Sequence, residues 1–290
     1  MLPALLLLWM LPGAGEAPPP TAEAIMARVA ANQDRSVQMR ASYVYRQRVA
    51  VKLRDRGGKL VREEESQYDV TPTPGGTKKE LASFAGRYRA KKKPKTGDGM
   101  IPYDKSGFEA PDRHANIDAE LSKELRDDMV NDGKARDGIA AELFPLTTRQ
   151  QARHVFRLAG EETFRGLPVY RVAFEPVRRK GEFEIDTNEG PWTGEVLVTR
   201  DDFQPVLVTT RLANKVPAVV RTMLGTDLRG LGFSVRYEKF DDGVWFPVSF
   251  GSEFHVRVLF FYSRNISVSL ENSAFQRADV SSTVRYAEVK

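Results

Sequence analysis

The sequence predicts a mainly β fold with α (α+β): a curved antiparallel sheet or open half-barrel of about ten or eleven strands, with two or three helices covering its concave face. Three observations lead there. From about residue 42 onward most segments alternate apolar and polar residues with period two. Short connections containing Gly, Asp or Asn join them, which sets chain neighbours antiparallel. Two stretches, at the start and in the middle, repeat apolar residues at helical spacing and supply helices to pack on one face of the sheet.

The 290 residues are 41% hydrophobic and 29% charged, enough to bury a core. This length fits one unit of the all-β type as well as two smaller domains; residues 18–290 are read as one domain. Lys and Arg number 44 against 39 Asp and Glu, a net charge of +5 that is too small and dispersed to suggest nucleic acid as a partner. The absence of cysteine removes disulfides, thiolate metal sites, a Cys nucleophile and N-terminal Cys lipidation together.

Residues 1–17 read as a signal peptide. Ala4 to Leu11 are eight consecutive apolar residues, and Gly15-Glu16-Ala17 offers a small-x-small cleavage site. A membrane span needs about 20 apolar residues. Pro3, Pro12 and the Pro18-Pro19-Pro20 run speak against the alternative, a buried N-terminal helix. The mature chain is therefore expected to be exported and unanchored.

In the mature chain Thr21 is placed to cap a helix over 21–34, in which Ala22, Ile25, Met26 and Val29 share a face. The period then becomes two. From Ser42 to Arg54 the residues Tyr43, Tyr45, Gln47, Val49, Val51 and Leu53 alternate with Arg46, Arg48, Lys52 and Arg54. Asp55-Arg56-Gly57-Gly58-Lys59 supplies a tight turn, and Leu60 to Val70 returns with Glu63, Glu64 and Glu65 facing those cations. A third strand runs through Leu81 and Phe84, and 91–115 is an irregular basic Pro/Gly loop. Asn116 is read as the cap of a second helix carrying Ile117, Leu121, Leu125 and Met129.

Leu143-Phe144-Pro145-Leu146 leads into a hairpin with strands at about 153–164 and 167–177. The last third alternates in the segments 192–200, 204–212, 232–240, 244–251, 254–262 and 266–270. Asp201-Asp202, Asp241-Asp242-Gly243, Gly251-Ser252 and Ser263-Arg264-Asn265 stand at the expected turns.

Catalytic signatures are missing. No phosphate-cradling glycine loop, dinucleotide fingerprint, zinc helix or nucleophile elbow is present. His114, His154 and His255 have no partner at metal spacing, and His255 alternates with Phe254 and Val256 as a surface or satisfied histidine. Asp201/Asp202 and Asp241/Asp242 fall at turns and Asp127/Asp128 on a polar helix face, so turn and surface chemistry accounts for these pairs. No enzyme activity, cofactor or metal is expected.

Two features remain. Arg87, Arg89, Lys91, Lys92, Lys93 and Lys95 place six cations within nine residues, either as a solvated loop or as a contact for anionic lipid headgroups or an acidic partner. The apolar side of the sheet gathers Tyr43, Tyr45, Val49, Val51, Val196, Val198, Val206, Val208, Phe233, Val235, Phe246, Val248 and Phe250. Either the helices cover these fully, as an ordinary core, or they leave room for acyl chains at about 0.8 kcal/mol per buried methylene.

The order of features resembles the outer-membrane lipoprotein-sorting (LolA/LppX/RseB-like) superfamily. The likeness rests on Tyr43-Val44-Tyr45-Arg46-Gln47 entering a long strand, Trp192-Thr193-Gly194-Glu195-Val196-Leu197-Val198 before Asp202-Phe203-Gln204-Pro205-Val206, the later Val235-Arg236-Tyr237, and Asp242-Gly243-Val244-Trp245-Phe246-Pro247. Where that family closes its strand with Asp, this chain has Thr199-Arg200. The resemblance implies a non-catalytic periplasmic, monomeric carrier or binder of lipid or lipidated protein cargo, held in an apolar cavity between sheet and helices. An envelope protein-interaction or sensing module, using a membrane-surface or envelope protein partner, is the alternative. A hydrolase assembled from distant residues is the third reading.

Overall fold

The computed structural model describes residues 20–73, 76–90, 99–104, 108, 112–131, 145–177, 192–212, 226–229, 232–240, 243–258 and 262–278. The signal segment, Lys91, Lys92, Lys93 and Lys95, and the Asp241/Asp242 pair lie outside them.

Thr21 caps α1 (Ala22–Arg40), its Oγ1 accepting from the Ala24 N–H at 3.2 Å. The helix runs six residues past the expected end because its last turn is held by tertiary contacts. Arg40 is buried and donates to the Trp245 carbonyl at 2.8 Å. Next come β1 (Tyr43–Arg54), β2 (Leu60–Thr73), β3 (Gly76–Arg89) and β4 (Met100–Tyr103), then α2 (Arg113–Asn131) and the single turn α3 (Thr148–Gln151). The remaining strands are β5 (His154–Phe164), β6 (Leu167–Pro176), β7 (Trp192–Thr199), β8 (Pro205–Leu212), β9 (Thr226–Arg229), β10 (Gly232–Lys239), β11 (Trp245–Val258) and β12 (Tyr262–Arg277).

All these strands pair antiparallel in one open sheet, in the order β4-β3-β2-β1-β12-β11-β10-β8-β7-β6-β5, with β9 alongside β11. The expected fold class is the one found. Hairpins supply most neighbours, whereas β1 joins β12 across the length of the chain.

The structure departs from the sequence reading at several points. Helix α2 starts at Arg113: Asp112 Oδ1 accepts from the N–H groups of His114 (2.9 Å) and Ala115 (3.1 Å), so Asp112 takes the capping role expected of Asn116. Gly251-Ser252 is not a turn but lies inside the continuous strand β11, where Ser252 Oγ donates to the Gly232 carbonyl at 2.8 Å. Tyr262 therefore opens β12 instead of closing the strand before it. The segment 91–115, expected to be irregular, contains β4 at the sheet edge.

The pleat gives the sheet two unlike faces. One cross-strand row passes through Phe84, Ser66, Val49, Leu270, Phe250, Val235, Val208, Val196, Val172 and Leu158, from β3 to β5. Both long helices lie over this inner face. The adjacent outer row, Ala50, Ser269, Gly251, Ser234 and Thr209, is small and polar. Ion pairs flank it: Arg48 with Glu65 at 2.5 Å and Glu271 at 3.3 Å, and Lys52 with Glu63 at 3.0 Å. Glu63 and Glu65 thus meet the β1 cations as expected, but Glu64, on the opposite side of the pleat, turns inward.

Candidate functional site

The inner face is covered in two halves. Over the β5 to β10 side, α1 presents Ile25, Met26 and Val29, all 0% exposed, to a continuous cluster with Val172, Val196, Val208 and Val235. Removing these apolar surfaces from water is the main force holding α1 down. Polar contacts fix its position at the sheet rim. Asn32 Nδ2 donates to the carbonyls of Asp202 (2.7 Å) and Phe203 (3.0 Å), and the Arg28 guanidinium lies 4.4 Å from the Phe203 ring centroid. Asp202 in turn accepts from Thr199 Oγ1, Lys239 Nζ and Trp245 Nε1. Burial works to raise its pKa, yet these donors outweigh it and hold the carboxyl below its ordinary value.

The stretch of β1 and β12 through Val51, Leu53, Ile266 and Val268, with Val256 of β11, is covered differently. Here α2 lays Leu121 and Leu125, only partly buried, over a smaller apolar patch of Val51, Leu53, Val256, Ile266 and Val268. Buried ion pairs supply the rest of its anchorage. Asp118 takes Arg264 Nε at 2.8 Å and Nη2 at 2.9 Å, a bidentate fork, and the Tyr262 hydroxyl at 2.8 Å. Glu64, 3% exposed, accepts from Arg62 Nε (2.9 Å), Tyr103 Oη (2.7 Å) and Arg126 Nη1 (2.7 Å). Burial first, then the facing carboxylate, pushes both phenols far above their ordinary pKa, so Tyr262 and Tyr103 stay protonated as donors. Gly86 is required for this geometry, because a Cβ there would lie 2.2 Å from the Tyr103 ring. Among these polar groups Ser122 Oγ of α2 and Gln47 Oε1 of β1 are buried with no partner among the described residues.

Of the thirteen apolar candidates, twelve are buried and Phe233 is partly buried. They divide among three clusters. Tyr45, Val49, Val196, Val198, Val206, Val208, Val235 and Phe250 lie in the α1 cluster, and Val51 lies in the α2 cluster. Tyr43, Phe246 and Val248 form a third with Val244, joined by Phe240 and Phe275. The division follows the register: a bulge next to Tyr237 places Phe250 opposite Val235 but Phe246 opposite Glu238, out of step with the inner row.

Of the basic candidates, Arg87 is engaged with Glu63 at 2.5 Å, and Arg89 Nε donates to the Leu60 carbonyl at 2.7 Å. His154 packs edge-on to Phe174, and burial lowers its pKa. His255 is indeed satisfied: its Nδ1 lies 2.8 Å from Asn265 Oδ1 and its Nε2 3.3 Å from Ser263 Oγ. This Ser-His-Asn string joins cross-strand neighbours of β11 and β12, with Ser263 buried. Among the described residues no group of three or more His, Asp and Glu side chains is placed to hold a metal ion.

The sequence reading missed Arg62, Glu64, Asp118, Arg126 and Arg264. A signal for two of them existed: continuing the alternation of Val70, Tyr68 and Ser66 puts Glu64 and Arg62 on the inner face.

The sheet order and its two covering helices can be set beside known proteins. The chain is similar to several solved structures. One is the LolA superfamily protein NE2245 from Nitrosomonas europaea, 11% identical over 90% of this chain and 96% of that one, with a TM-score of 0.34. Another is a putative outer membrane lipoprotein-sorting protein domain from Vibrio parahaemolyticus, 11% identical over 90% and 95%, with a TM-score of 0.39. A third is the Pseudomonas aeruginosa MucA/MucB complex, 9% identical over 85% and 94%, with a TM-score of 0.23. No protein-family model matches the chain, and no curated protein matches it. No helix among the described residues is long and apolar enough to cross a membrane.

Proposed function

We propose that this chain is a non-catalytic periplasmic carrier or binder of lipids or lipoprotein acyl chains, which enter between the inner face of the sheet and helix α2. The observation that carries this reading is the unequal cover of two apolar clusters on one inner face. The α1 cluster is sealed by fully buried side chains, while among the described residues α2 closes its patch with two partly buried leucines and with ion pairs. Ion pairs can reopen to water at modest cost, because each charge recovers its hydration when the pair parts. A hydrocarbon chain laid over Val51, Leu53 and Ile266 replaces the lost cover, contributing about 0.8 kcal/mol for each methylene removed from water.

The test is mass spectrometry of organic extracts of the purified protein together with displacement of a fluorescent fatty acid. Co-purifying lipid and saturable displacement are expected. Finding neither would remove the carrier reading.

A further inference from the structure

We propose that the pocket at the first turn of α2 binds a phosphate oxyanion, with Arg62 as its central donor. The pocket has a volume of about 330 Å³, and its charged lining includes Lys59, Arg62, Arg89, Asp112, Asp118 and Arg264. Arg62 is 3% exposed. Its Nε and Nη2 both face Glu64 Oε1 at 2.9 Å, while the buried Nη1 has no partner among the described residues. The guanidinium carbon lies over two rings, 4.8 Å from the Tyr103 centroid and 4.2 Å from that of Phe108. A buried charged N–H without an acceptor is costly in a folded protein, and an incoming oxyanion supplies what it lacks.

The surroundings favour a doubly charged guest. Lys59, Arg62, Arg89 and Arg264 are four cations against the carboxylates of Asp112 and Asp118, an excess of two. Both carboxylates are already occupied: Asp112 caps α2, and Asp118 takes the Arg264 fork. The first turn of the helix borders the same space through Asp112, His114 and Ala115, its leading N–H groups already capped by Asp112. Phosphate, with a charge near −2 and acceptors suited to an arginine fork, fits this arrangement better than a single carboxylate.

The site also adjoins the apolar patch under α2. Leu53 of β1 pairs with Arg62 on one side and Ile266 on the other. A phosphate on Arg62 can therefore belong to a lipid headgroup whose chain lies over Leu53 and Val51. This last step rests on the acyl-binding reading, whereas the anion site does not.

Inorganic phosphate, titrated calorimetrically into the full chain at low ionic strength, should bind at one site. Arg62→Lys keeps a charge opposite Glu64 but loses the unpartnered N–H, and should weaken binding at least tenfold. Lys59→Glu, at an exposed position, should weaken it several-fold with the melting temperature unchanged. Binding that is absent, or equal in the wild type and both variants, overturns the proposal. Dihexanoyl phosphatidic acid separates the sources: tighter binding than phosphate assigns the site to a headgroup, and equal binding assigns it to free phosphate. An uncharged long-chain alcohol keeps the two readings apart. Its uptake without phosphate binding removes the anion site alone, and the converse removes the acyl reading alone.

Discussion

The two covering helices have the same length, 19 residues, but are held by opposite means. Helix α1 buries Ile25, Met26 and Val29 completely and so behaves as a wall of the core. Helix α2 buries Asp118 and Ser122 more deeply than its leucines, and its anchors are carboxylates and guanidiniums. Apolar burial acts over area and has no alternative partner in water, whereas an ion pair has one. One sheet face can therefore carry both a fixed cover and a releasable one.

The largest expected effect comes from breaking a buried pair on the releasable side. Arg264→Met leaves Asp118 buried without its guanidinium and should cost about 3–5 kcal/mol of stability. Asp118→Asn is the milder companion. In both, the rate of fatty-acid uptake should rise, measured by stopped-flow fluorescence. On the fixed side, Met26→Ala should cost about 2–5 kcal/mol by cavity formation, read from denaturant midpoints, with the uptake rate unchanged. Equal acceleration by Met26→Ala would erase the distinction between the helices.

A smaller effect follows from pH. Burial lowers the pKa of His154 from its ordinary 6.5, so the unfolded chain binds a proton that the native one refuses. The stability it contributes is fully present above pH 6.5 and falls as pH drops below that value. Asp202, depressed below 3.8, acts in the same direction in a lower window. Both lie on the α1 side, so midpoints recorded from pH 8 to pH 5 should decline, and His154→Gln should flatten that slope. The smallest effect is expected at the outer face. Arg171 pairs with Glu162 and Glu195 but is 39% exposed at its side chain, so Arg171→Ala should change the midpoint by no more than about 1 kcal/mol.

Much of the fold could be read from the sequence, because local rules carry most of it. The alternation from Tyr43 to Leu53, the Gly57-Gly58 turn and the Thr21 cap each depend on neighbours a few residues away. Long-range pairing has no such signal. Gln47 meets Asn272 at 3.0 Å across 225 positions, and Asp118 meets Arg264 across 146. The residues that anchor α2 were therefore invisible as pairs, although the period already turned Arg62 and Glu64 inward. Turn residues misled where tertiary pairing overrode them, as at Gly251-Ser252 inside β11. A bulge did the same for Phe246, whose spacing from Phe250 implied one face.

Hydrogen exchange of the full chain, with and without a saturating long-chain fatty acid, tests the unequal cover most directly. The ligand-free protein should exchange amides in α2 faster than those in α1, and the ligand should slow exchange in α2, β1 and β12 while leaving α1 as it was. Equal exchange in the two helices, with no change on adding fatty acid, would contradict the account.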